Sequence, residues 1–95
     1  MVQILFTVSD MLNKINGSAL RNFTISIIDD NRDVELFSAS VLGRDVGVSE
    51  SLDDFIMRIC TSERDKRSLT AVLDKGVVTH SMNRYGKMTE IIIYI

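Results

Sequence analysis

Apolar positions along the chain follow two periods, and the period changes from segment to segment. Val2 to Phe6 is apolar and partly β-branched, which predicts an opening strand. Val8, Met11, Leu12 and Ile15 then recur at i, i+3, i+4 and i+7, the stripe of a short helix. Thr7 stands three residues before Asp10, the spacing of a hydroxyl–carboxylate capping box, and Asn16-Gly17 reads as a left-handed stop. The period shortens to two where Phe23, Ile25 and Ile27 alternate with Thr24 and Ser26, as on a half-buried strand. Asp29-Asp30-Asn31-Arg32-Asp33 forms a polar turn, and a second strand runs from Val34 through Leu36 and Phe37 to about Leu42. Together these predict a β-hairpin.

Beyond a glycine-containing loop, Gly43 to Ser49, the helical period returns. Ser51 precedes Asp54 by three residues and can cap a helix carrying Leu52, Phe55, Ile56 and Ile59 on one face. Thr61-Ser62 interrupts it, Ser62 and Asp65 repeat the cap spacing, and a third helix bears Leu69, Val72 and Leu73 before a stop at Gly76. Val77 to Met82 predicts a strand, Asn83 to Lys87 a turn around Gly86, and Met88 to Ile95 a final strand. The order β-α-β-β-α-α-β-β implies an α+β two-layer sandwich with a mainly antiparallel sheet and short helices. Proline is absent, so glycine, Asn and Asp must make every turn.

Composition narrows the function classes. Ninety-five residues make a single domain over 1–95, and 45% apolar with 25% charged residues excludes a disordered or collagen-like chain. The net charge of −2 gives no field for nucleic acid or anionic lipid, so neither is expected as a partner. Charge is nonetheless uneven. Residues 1–50 carry four Lys/Arg against seven Asp/Glu, residues 51–95 seven against six, a modest two-sidedness that suits protein docking. One cysteine, Cys60, cannot make an internal disulfide. The first residues lack a basic n-region, and the longest apolar run is far shorter than the roughly 20 residues that span a bilayer. A cytoplasmic protein without membrane association is the expectation.

Several side chains invite a chemical reading. Asp29, Asn31, Asp33 and Glu35 have the spacing of the first half of a calcium loop, but Val34 replaces the required glycine and Ser40 the bidentate glutamate, so a solvated turn is expected. His80 is the one imidazole, the group type used as a general acid and base, and with Arg84, Tyr85 and Lys87 it suggests an alternative: a small endoribonuclease or nucleic-acid binder. Strand alternation favours a packed histidine instead. Cys60 borders the second apolar stripe and reads as a small buried thiol; a Cys60–His80 nucleophile pair lacks support from spacing. One Cys and one His do not complete a zinc site, and the glycines match no phosphate loop, so no cofactor, metal or catalytic residue is assigned. Asp53-Asp54 falls in a helix's first turn, where it complements the dipole.

Ile91-Ile92-Ile93-Tyr94-Ile95 breaks the alternation altogether. Positions 91, 93 and 95 face one side of a sheet, 92 and 94 the other, so both sides require cover. Three short helices can cover one side, leaving Met88, Ile92 and Tyr94 for an intermolecular contact. The expected function is a non-enzymatic protein-binding module, a homodimer, using Met88, Ile92, Tyr94, Arg84 and Lys87. By analogy of type, it is comparable with virus- or phage-encoded inhibitors that block a host factor sterically.

Overall fold

The computed structural model describes residues 5–47 and 50–95. Within them the chain forms α1 (Val8–Asn16), β1 (Phe23–Asp29), β2 (Val34–Val41), α2 (Leu52–Ile59), α3 (Glu63–Thr70), β3 (Thr79–Tyr85) and β4 (Met88–Tyr94). The four strands make one sheet in the order β2-β1-β4-β3. Both hairpins, β1–β2 and β3–β4, are antiparallel, but they meet along a parallel central pair, β1–β4. The sheet is therefore mixed, and "mainly antiparallel" holds only for its outer pairings. A two-sided apolar run such as Ile91–Ile95 belongs on an interior, partly parallel strand, and β4 is one.

The core lies on one side of this sheet. Phe23, Ile25 and Ile27 of β1, Phe37 and Val41 of β2, and Ile91 and Ile93 of β4 are buried against Val8, Met11, Leu12 and Ile15 of α1, Phe55, Ile56 and Ile59 of α2, and Leu69 and Val72. Phe23 and Phe55 stack across the layers with ring centroids 6.4 Å apart. Side chains of this size contribute about 1.5–3 kcal/mol each when fully buried. The α1–α3 stripes thus supply one complete helical layer, and β1 and β4 supply its platform.

Local signals explain where the helices begin. Thr7 Oγ1 accepts from Asp10 N–H at 3.2 Å while Thr7 N–H donates to Asp10 Oδ2 at 2.9 Å, the capping box read from the sequence. Ser51 and Ser62 accept from Asp54 and Asp65 N–H, each at 3.1 Å. Two more α1 donors are met from outside the helix: Val8 N–H donates to Lys75 O and Ser9 N–H to Leu73 O, each at 3.0 Å. The chain after α3 turns to offer those carbonyls, which is why α3 stops at Thr70 and not near Gly76. Gly76 instead forms a single antiparallel bridge with Thr7.

The end of α1 also departs from the sequence reading. Gly17 keeps a right-handed conformation, φ −81° and ψ −1°, and makes no left-handed stop. The last carbonyls find other donors. Ser18 Oγ donates to Ile15 O at 2.6 Å, and the Arg44 guanidinium donates to Ile15 O at 3.2 Å, to Asn16 O, and to Asn16 Oδ1 at 2.6 Å. Arg44, only 4% exposed, lies 5.0 Å from the Phe55 ring centroid. Asn16 Nδ2 continues the chain of contacts by donating to Glu50 O at 2.7 Å.

Strand limits shift in two places. β3 starts at Thr79 and runs to Tyr85, tightening the turn to Gly86-Lys87, where Gly86 adopts φ +63°. Of the expected opening strand Val2–Phe6, the larger part lies outside the described residues; Leu5 and Phe6 form no ladder, though Val77 N–H donates to Phe6 O at 2.7 Å. On β2, Leu36 is an extra residue between the pairs Ile27–Phe37 and Ile28–Glu35, a β-bulge beside the turn. No described helix is long and apolar enough to cross a membrane.

Candidate functional site

The face of the sheet turned away from the helices is built by alternation. Because Thr89, Ile91 and Ile93 point into the core, Met88, Glu90, Ile92 and Tyr94 point the other way, and all four are half-buried. The ladder aligns them with their neighbours. Ile92 stands between Ser26 of β1 and Ser81 of β3, and Tyr94 between Ile28 and Thr79. Met88 pairs with Tyr85, whose side is 63% exposed. No described residue forms a second layer over this face. Carried across all four strands, these two rows and the row Thr24–Glu90–Asn83 hold two charges, Glu90 and, opposite Ile28 on β2, Glu35.

Three of the five expected partner-binding residues, Met88, Ile92 and Tyr94, therefore share this face. Arg84 does not. It sits opposite Thr89, a core-side position, so its side chain belongs with His80 and Met82 on the helical side. Lys87 lies in the β3–β4 turn. Ile28 and Tyr85 belong to the open face by register; Ile28 escaped the sequence reading because the β1–β4 pairing joins strands far apart in the chain, which no local pattern reveals.

The alternative quartet His80, Arg84, Tyr85 and Lys87 does not converge. His80 and Arg84 share one side of β3 but stand four residues apart, about 13 Å along a strand. Tyr85 lies on the opposite side, and Lys87 is in the turn. His80 is exposed at the edge of the sheet, where it lines a cleft with Phe6, Met11, Lys14 and Met82. Cys60, the C-cap of α2, sits at the α2–α3 junction, whose neighbours Ile59, Thr61 and Asp65 line a hollow with Ser38–Ser40 of β2. β2 and β3 are opposite edges of the sheet, three strand spacings or about 14 Å apart, so thiol and imidazole are not a pair. Burial pushes the Cys60 thiol up, Asp65 adds to the effect and Lys66 opposes it, so the thiol stays protonated near neutrality.

The acidic hairpin turn is organised internally. Asp29 Oδ1 accepts from Asn31 N–H at 3.0 Å and Arg32 N–H at 3.3 Å, Oδ2 accepts from Arg32 Nε at 3.0 Å, and Asp33 adopts φ 54°. Hydrogen bonding from the Arg32 side chain, then from the turn's backbone N–H groups, outweighs desolvation and holds the Asp29 carboxyl below the ordinary 3.8. A lowered folded-state value means that the turn's contribution is complete above the unfolded aspartate value and is lost as pH falls through the folded one. In a carbon-detected NMR titration, Asp29 is expected to titrate below 3.8, and Arg32→Ala to move the midpoint up toward it. An unmoved midpoint would remove Arg32 as the cause.

Comparison with protein-family models, with curated proteins and with solved structures finds no match to this chain.

Proposed function

We propose that the chain is a small, non-enzymatic protein-binding module that associates with a second copy of itself through the open face of its sheet. One observation carries this: the helices cover one side of a sheet whose other side presents Ile28, Ile92, Tyr94 and Met88 without a covering layer among the described residues. Its rows carry only two charges, Glu90 and, at the β2 edge, Glu35, so the apolar area around Ile92 and Tyr94 meets a like surface without a dense charge array to oppose it. A sheet of four strands and seven residues offers a face on the order of 400–500 Å² in plan, at the low end of specific interfaces. The dimer is accordingly expected to dissociate in the micromolar range. Its mode of action is steric, the mode of a virus- or phage-encoded inhibitor occupying a host factor, and a reducing cytoplasmic setting suits its lone thiol.

Sedimentation equilibrium tests the association. Wild type is expected to show a monomer–dimer equilibrium at tens to hundreds of micromolar, on the order set by a small interface. Ile92→Glu, which adds a carboxylate to the open face without touching the core, is expected to remain monomeric with unchanged circular dichroism. Wild type that stays monomeric throughout, or Ile92→Glu that dimerises equally, would overturn the open-face dimer.

A further inference from the structure

Resting on the protein-binding reading but using a different surface, we infer that the β3 edge is a strand-addition site for an extended, acidic segment of a partner protein that carries an apolar anchor residue. The two edges of the sheet are not alike. β2 carries the bulge at Leu36 and has α3 packed beside it. β3 pairs with β4 in unbroken register over Thr79–Tyr85, has no proline, and is exposed at every position but Ser81. Among the described residues no strand lies along the outer side of this regular seven-residue edge, so its main chain is a template to which an extended peptide can add.

Side chains beside this edge specify what can add. Between α1 and β3 opens a cleft of about 370 Å³, with an apolar floor of Phe6, Met11 and Met82. Its other two lining groups are Lys14, whose ammonium sits 5.1 Å from the Phe6 ring centroid, and His80. Arg84 follows on the same side of β3. The nearest carboxylate on α1 facing outward, Asp10, is occupied by the Thr7 cap. Among the described residues, three of the large exposed apolar side chains, Val78, Met82 and Tyr85, lie on β3 or next to its start. An added strand would drop one apolar residue into the cleft and place carboxylates two residues away, beside Lys14 and Arg84. The same cations disfavour a second copy here. Antiparallel pairing of two β3 strands would gather Lys14 and Arg84 of both copies at one shared edge, and β3 carries no carboxylate to answer them.

The test uses blocked heptapeptides on the whole chain, in the monomeric Ile92→Glu background, followed by amide chemical shifts. A peptide with one central leucine, a glutamate two residues to either side of it and serines at the other positions is expected to bind, with shifts concentrated at residues 79–85 and lining the cleft. Its lysine counterpart and a version N-methylated at alternate backbone nitrogens are expected not to bind. Lys14→Glu with Arg84→Glu, both exposed, is expected to weaken the acidic peptide about tenfold or more, two rim charges reversed. Equal binding of acidic and basic peptides, binding that survives N-methylation, absence of binding, or shifts on the open face would each overturn the edge site. Dimerisation through Ile92 is read separately by sedimentation, so either surface can fail without the other.

Discussion

Ile93→Ala is expected to cost about 3–4 kcal/mol of stability, and Ile92→Ala, one residue earlier, about 1 kcal/mol or less, when both are measured by urea unfolding of dilute protein. Ile93 has no exposed surface and packs in the core beside Ile27, its partner across the parallel pair. Its truncation leaves a cavity that the close-packed helices cannot fill. Ile92 stands on the open face between two serines, where the lost methylenes exchange with water. A domain of this size has only about 5–15 kcal/mol in total, so Ile93→Ala removes a large share. The contrast is the informative quantity. Equal losses at the two positions would mean that both sides of β4 are covered, and the open face would cease to be a candidate surface.

Arg44→Ala is expected to lose about 3 kcal/mol, which for a domain of this size lowers the melting temperature by on the order of 15 °C. The guanidinium is buried, yet no carboxylate among the described residues meets it. Its charge is answered by the negative end of α1, the carbonyls of Ile15 and Asn16, and by the Asn16 side chain, with the Phe55 ring beneath. Removing it takes their donor from Asn16 O and Asn16 Oδ1, with Ile15 O still held by Ser18, and opens a hole over Phe55, while Asn16 loses the partner that orients it toward Glu50. Arg44→Lys is expected to recover less than half, because one ammonium cannot span two carbonyls and lie flat on a ring. Loss below about 1 kcal/mol in Arg44→Ala would show that α1 ends without this cap.

Most elements were legible because their signals are local. The Thr7, Ser51 and Ser62 caps, the α1 and α2 stripes and the Phe23–Ile27 alternation each depend on residues within one or two turns. What was not legible depends on distant partners. The parallel β1–β4 junction, the early end of α3 and the right-handed Gly17 are all set by chain far away in sequence, namely β4, the needs of α1, and Arg44. Arg44 itself sits in a glycine-flanked loop and carries no mark that distinguishes it from a solvated cation. The open face was half legible: the unbroken apolar run named Met88, Ile92 and Tyr94 as surplus, but placing Ile28 and Tyr85 beside them required the register.

The parallel pairing of β1 with β4 also governs the order in which the domain can assemble. Each hairpin closes over a short turn, but Phe23 meets Thr89 only after nearly all the intervening chain has been gathered in. Loop-closure entropy therefore makes this seam the late, slow step, with two hairpins waiting to dock. Until they do, β1 and β4 each expose an apolar flank and a bare edge, and the Ile91–Ile95 run is the segment most prone to pair with the wrong strand. A chain cut before β4 would keep its first hairpin and all three helices, yet have lost the inner strand that closes its core, and its fate would be decided by aggregation before folding.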